Sequence, residues 1–175
     1  MNPTLEVIFS RKSVRHFTGA PVSREQLLVL AKAGMAAPSA KNMQPWKFIA
    51  LTDHSLMDQL AEGLPFAKML KEAGGAIVVC GNNQNLSPVS HSEIWSQDCA
   101  AATQNILLAA ESMGLGAVWT ACYPYPTRYG LVQKVLGLPD YIIPFSVVPI
   151  GIPTGEDVPK DKFLAENLIW ERWGS

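Results

Sequence analysis

The longest helical stretch in the chain, EIWSQDCAAATQNILLAAESM (residues 93–113), is apolar nearly all round at its centre and rich in alanines that permit close approach. A helix without a polar face has nothing to offer water, so it must run through a core or a subunit contact, with the remaining elements arranged around it. Gly114 ends it as a natural C-cap. The other elements are shorter. Asn2 before Pro3 reads as an N-cap with proline at the first helical position. Ser23 and Gln26 make a capping box, Val22 and Leu27 stand as a hydrophobic staple, and Leu27, Leu30, Ala31 and Gly34 repeat at helical spacing until Pro38. WKFIALT (46–52) alternates as a strand, a short helix follows around Leu56 and Leu60, and AIVVCG (76–81) is a buried strand by its β-branched run. GAVWTAC (116–122) reads as a strand, RYGLVQKVLGL (128–138) as a helix closed near Gly137, and IIPFSVVPIGIP (142–153) as a last strand. Taken alone, this alternation predicts a doubly wound parallel sheet. Prolines at 144, 149 and 153 mark the last strand as an edge or an interrupted one.

Composition then narrows the classes. A chain of 175 residues, 48% hydrophobic, suits one domain with a real core, and no repeat or low-complexity segment divides it. Its 14 basic and 15 acidic residues nearly cancel, which argues against a general nucleic-acid binder and gives any local charge cluster more meaning. Apolar runs break well before the ~20 residues that a bilayer demands, and MNPTLEVIFSRKS lacks the basic-then-apolar order of a signal peptide. A cytoplasmic protein with no membrane partner is expected. Cys80, Cys99 and Cys122 are odd in number and far apart, which fits reduced, buried thiols rather than disulfides or a metal cluster.

Four stretches are candidates for chemistry. SRKSVRHF (10–17) concentrates Arg11, Lys12, Ser13 and Arg15, whose guanidinium forks and hydroxyl can converge on one anion such as a phosphate; a solvated surface patch is the other reading. In APSAKNMQPWKF (37–48), Ser39, Asn42 and Gln44 offer uncharged donors and acceptors between two prolines, suited to the heteroatom edge of a planar ring, or simply to a turn. GLGAVWTA (114–121) has two glycines in dinucleotide-fingerprint spacing, but Trp119 takes the third glycine position and the segment leads from helix into strand, the reverse of the required order. GEDVPKDKF (155–163) places Lys160 and Lys162 two apart, so both can point one way from an extended chain. No nucleophile–base set is visible, and His16, His54 and His91 lie on unrelated segments. Any reactive group therefore arrives as a cofactor, and no catalytic side chain or metal ligand is assigned. Beyond the last domain element, Phe163, Leu164, Leu168, Ile169, Trp170 and Trp173 put more apolar surface on a tail than a monomer can hide.

Read in order, SRKSVRHFTGAPVS, AGMAAPSAKNMQPWKFIALTD, the alanine-rich helix into GLGAVWTA, and VPIGIPTGEDVPKDKF closely resemble the nitroreductase family of FMN-dependent oxidoreductases. The resemblance implies an α+β fold, with a central mixed, mostly antiparallel sheet flanked by helices, in place of the parallel default. Residues 1–162 would form the FMN-binding domain, and residues 163–175 an arm exchanged with the other subunit of a homodimer. It implies that Arg11, Lys12, Ser13 and Arg15, with Lys160 and Lys162, hold the phosphate of FMN; Lys12 and Lys162 stand where arginine is common in relatives. Pro38, Ser39, Ala40 and Asn42 would reach the flavin of the partner subunit. Trp119, Thr120 and Ala121 would lie along the ring, where a backbone N–H faces N5. The implied activity is a two-step hydride transfer from NAD(P)H through flavin N5 to a small electron-poor acceptor, a nitroaromatic or a quinone. A specialised relative (a dehalogenase, a flavin-cleaving enzyme or a dehydrogenase) and a flavin-binding sensor or store without turnover are the alternatives.

Overall fold

The fold is that of a computed structural model, which describes residues 2–84 and 93–174. His91 lies outside the described residues. Helix α1 spans Pro3–Ser10, α2 Arg24–Met35, β1 Trp46–Leu51, α3 His54–Gly63 and β2 Gly75–Asn82. Then follow α4 Ile94–Ser112, the two-residue strands β3 Gly116–Ala117 and β4 Thr120–Ala121, α5 Pro126–Leu136 and β5 Ile142–Gly151. The helix starts follow their local chemistry. The Asn2 side chain accepts from Thr4 N–H at 2.9 Å. Ser23 Oγ accepts from Gln26 N–H at 3.2 Å while Gln26 Oε1 accepts from Ser23 N–H at 2.9 Å, the reciprocal capping box. Gly137 closes α5 at φ 64°, a conformation glycine adopts without Cβ strain.

The sheet runs β1-β2-β5-β3, with β4 also on β5, and each of these pairings is antiparallel. This corrects the parallel reading of the alternation. Ile77 and Val79 of β2 point into one core with Leu27, Leu30, Cys99, Ala102 and Ile106. Ala76, Val78 and Cys80 point into a second core with Met57, Leu60, Leu70 and Val132. Helices α2 and α4 thus cover one face, α3 and α5 the other. A strand buried on both sides reads as a continuous apolar run whatever its direction, so the run in β2 is as compatible with antiparallel pairing as with parallel.

Of the two readings of β5, the interrupted one holds and the edge does not: the strand is central, pairing β2 on one side and β3 and β4 on the other. Its prolines sit where no ladder donor is needed. The register with β2 slips by one between Val79 and Cys80, opposite Ser146 and Pro144, so Pro144 falls at a bulge. Pro149 offers only its carbonyl to the other side, accepting from Val118 N–H at 3.4 Å, and there the pairing splits into β3 and β4. Helix α4 behaves as its composition requires. Trp95, Asp98, Cys99, Ala102, Thr103, Ile106, Leu107 and Ala110 are buried, and Asn105 Nδ2 donates to Ala33 O at 3.1 Å, tying α4 to α2. After β5 the C-terminal stretch keeps large apolar side chains exposed, Phe163 at 74% and Trp173 at 90%.

Candidate functional site

The chain leaves α1 extended and runs between the ends of β3 and β5. Val14 N–H donates to Ala117 O at 3.0 Å, Thr18 N–H to Ile152 O at 3.0 Å, and Thr154 N–H to His16 O at 3.1 Å. Val14 and Phe17 turn inward and are buried. Gly116 allows this close approach, because a Cβ there would stand 2.5 Å from Val14 Cγ1. With Val14 and Phe17 anchored, Lys12, Ser13 and Arg15 line a cleft of about 480 Å³ whose far wall is Glu156, Asp157, Val158, Lys160 and Lys162. Two sequence stretches some 145 residues apart are thereby brought together as expected. Arg11 lines an adjoining hollow with Ile8, Phe9, Pro159, Lys160, Asp161 and Lys162.

Asp157 pins the two walls. Its Oδ2 accepts from Arg15 N–H at 2.8 Å, from His16 N–H at 3.1 Å, and lies 3.2 Å from His16 Nδ1. Burial pushes the Asp157 carboxyl up, but the hydrogen bonds from Arg15 and His16 outweigh it and leave the group below the usual carboxylate range. Lys12 is engaged otherwise: its Nζ lies 3.2 Å from Glu111 Oε1 on α4. Among the described residues Arg15, Lys160 and Lys162 have no acidic side-chain partner.

Beside the cleft lies a second cavity of about 160 Å³, lined by Arg15, Pro65, Phe66, Met69, Val118, Trp119, Thr120, Ala121 and Arg128. Arg15 belongs to both. Cys122 N–H donates to Phe145 O at 2.9 Å, so strand alternation turns the N–H of Ala121 to the outer edge of the sheet, away from β5. Arg128 marks that edge too, its Nη1 donating to Ala121 O at 3.3 Å. Sequence reasoning missed Arg128. The available signal was its place at the third residue of α5, a first turn where the helix dipole disfavours a cation.

Pro38, Ser39, Ala40 and Asn42 line neither cavity of their own chain. They form a short turn in which Lys41, Asn42 and Gln44 all have positive φ, at 51°, 55° and 48°. Besides two backbone hydrogen bonds, Asn42 N–H to Ser39 O and Met43 N–H to Ala40 O, three side-chain contacts hold it: Ala40 N–H to Asp98 Oδ1, Gln44 N–H to Ser39 Oγ and Gln44 Nε2 to Asn42 Oδ1, each at 3.0 Å. Asp98 is buried in α4, and its Oδ2 has no partner among the described residues. The three cysteines are buried thiols. Burial pushes Cys80 and Cys122 up to about 12 and raises Cys99 as well. Among the described residues no group of His, Cys, Asp and Glu is arranged to hold a metal, and no helix is long and apolar enough to cross a membrane.

A family model described as the nitroreductase family matches residues 8–64 and 63–152. A protein of Archaeoglobus fulgidus, provisionally named NADH dehydrogenase/NAD(P)H nitroreductase, is 39% identical over 176 residues, spanning 99% of this chain and 100% of that one. The crystal structure of a protein from Parabacteroides distasonis with the same provisional name matches at 51% identity and a TM-score of 0.92, covering 99% of this chain and 100% of that one. A provisionally named nitroreductase from Desulfovibrio desulfuricans, solved in complex with FMN, matches at 29% identity and a TM-score of 0.85, covering 99% of each chain.

Proposed function

The chain belongs to the nitroreductase family, and from that premise we propose that it is an NAD(P)H-dependent oxidoreductase that holds FMN, works as a homodimer and reduces nitroaromatic, quinone or related electron-poor acceptors. The observation that carries this reading is the cleft where Arg15, Lys160 and Lys162 converge without an acidic side-chain partner among the described residues. Such a donor set fits a phosphate of charge near −2, and the second cavity, which shares Arg15, opens directly beside it for a planar ring.

The two-electron chemistry, hydride from NAD(P)H to flavin N5 and onward to the acceptor in two half-reactions, is what FMN supplies when bound. The chain's own residues bind and orient. Arg15, Lys160 and Lys162 neutralise the phosphate, Ser13 adds a hydroxyl, and Lys12 and Arg11 stand behind them. Trp119, Thr120 and Ala121 form a ledge for the ring, with the outward N–H of Ala121 as its donor. Pro38, Ser39, Ala40 and Asn42 serve the partner subunit's site, which explains a turn held in strained conformations yet idle within its own chain. Residues 163–175 form the arm that packs on the other protomer, consistent with the exposed rings of Phe163 and Trp173. No side chain is needed as acid or base, so none is named catalytic.

The test is anaerobic. NADH and then NADPH are added to the FMN-reconstituted protein, flavin absorbance is followed, and nitro and quinone acceptors are then supplied. Bleaching followed by recovery is the expected result. A bound flavin that neither nucleotide reduces would favour a sensor, and failure to take up FMN would overturn the reading.

A further inference from the structure

We propose that His16 is a positioning residue whose protonation clips the two walls of the charged cleft together and tightens their hold on the phosphate of FMN. The inference rests on the FMN reading above and goes beyond it by giving cofactor retention a pH dependence and naming the side chain responsible.

The ring of His16 stands between two carboxylates of the opposite wall. Its Nδ1 lies 3.2 Å from Asp157 Oδ2 and its Nε2 3.9 Å from Glu156 Oε2. Among the described residues these are the charged groups within ion-pair reach of the ring. A neutral imidazole carries one N–H and can donate to one of the two; an imidazolium carries two and can donate to both. The other ties across this point are indifferent to the charge of the ring: Arg15 N–H and His16 N–H donate to Asp157 Oδ2, and Thr154 N–H donates to His16 O. Glu156 is otherwise held only from its own wall, where Thr154 Oγ1 donates to Glu156 Oε1 at 3.1 Å. Protonation of His16 therefore adds a second clip between the walls.

What this does to the cleft follows from its lining. Glu156 and Asp157 line the same space as Lys12, Arg15, Lys160 and Lys162, whereas His16 does not line it and stays clear of a bound phosphate. With the ring neutral, two carboxylates oppose an anion entering the cleft. With the ring charged, one of those charges is offset from behind, and the segment that carries Lys160 and Lys162 is tied to the fixed N-terminal wall. Both effects favour an anion, so binding of the phosphate and of a proton at His16 assist each other. Imidazole is the side chain whose ordinary titration falls between pH 5 and 8, and at 53% exposed the ring is open to solvent protons. Asp157, held below the usual carboxylate range, keeps its charge throughout that window. The exposure of the pair also keeps the effect modest, since solvent screens it.

The experiment reads FMN affinity from flavin fluorescence at low salt, at pH 6 and at pH 8, for wild type, His16→Gln and His16→Arg, with riboflavin as the ligand that lacks the phosphate. A phosphate monoester itself titrates near pH 6, so each affinity is divided by that of His16→Gln at the same pH, where this contribution cancels. The wild-type ratio for FMN is expected to be about threefold at pH 6 and close to one at pH 8. His16→Arg, a permanent cation, should keep its ratio above one at both. Riboflavin should give a ratio near one throughout. A wild-type ratio that is the same at the two pH values overturns the inference, because a merely structural ring acts alike at both. A ratio in His16→Arg that vanishes at pH 8 overturns it too, as does a riboflavin ratio as large as that of FMN, which would place the effect at the flavin ring. A protein that takes up no FMN overturns the FMN reading and this inference together, whereas one that takes up FMN with a pH-independent ratio overturns this inference alone.

Discussion

The two walls of the charged cleft are built differently. The N-terminal wall, residues 11–18, is held by backbone hydrogen bonds to β3 and to the chain just after β5, by the buried Val14 and Phe17, and by Asp157. Beyond Asp157 the opposite wall has little to hold it. Among the described residues the single hydrogen bond from residues 158–162 is local, Asp161 Oδ1 accepting from Phe163 N–H at 3.0 Å. Val158 is 68% exposed. Cations on a fixed backbone give up little further freedom on binding an anion, while Lys160 and Lys162 must order both side chain and loop. The same net charge should thus contribute unequally from the two sides.

The comparison breaks most severely at its anchor. Phe17→Ala empties a site where Phe17 is only 4% exposed, and should cost about 3–5 kcal/mol in chemical denaturation. Val158→Ala, on the other wall, should stay within about 0.5 kcal/mol in the same assay. Next in size is cofactor affinity. Arg15→Ala should weaken FMN binding by about 1.5–3 kcal/mol, read from quenching of flavin fluorescence. Lys162→Ala should cost about 1 kcal/mol or less, because part of what it loses is returned as loop entropy. Equal losses at Arg15 and Lys162 would dismiss the distinction between a fixed and an unfixed wall. The smallest effect concerns the pin. Since the folded Asp157 carboxyl lies below its ordinary value, its contribution is complete above the usual carboxylate range and disappears as pH falls through the lowered value. Urea midpoints of wild type and Asp157→Asn should differ at pH 7 and converge in strong acid.

Much of the fold was legible where chemistry is local: the Asn2 cap, the Ser23–Gln26 box, the Gly137 stop and the all-round apolar centre of α4. Strand direction was not legible in the pattern itself, because AIVVCG encodes burial on two faces and says nothing of its neighbours' polarity; the mostly antiparallel sheet came from the family resemblance, and the structure has it. The prolines of β5 signalled an interrupted strand but could not place it at the centre of the sheet. Their missing N–H groups are a fact of sequence, but whether a bulge or a split ladder absorbs them is decided by the partner strands. Of the basic residues on the cleft walls, charge density in a neutral chain singled out Arg11, Lys12 and Arg15, while Lys160 and Lys162 were joined to them by the family resemblance.

The buried thiols have a practical consequence. With Cys80 and Cys122 at about 12, roughly one thiol in 10⁵ is ionised at pH 7, and Cys99 is raised as well, so none should react with peroxide or with alkylating labels in the folded protein. A reporter cysteine introduced at Val158 or Phe163 would then be the one reactive thiol of the chain. With reporters at both positions, a pair of spin labels would measure, without prior removal of the native cysteines, how far residue 163 stands from the cleft wall at residue 158.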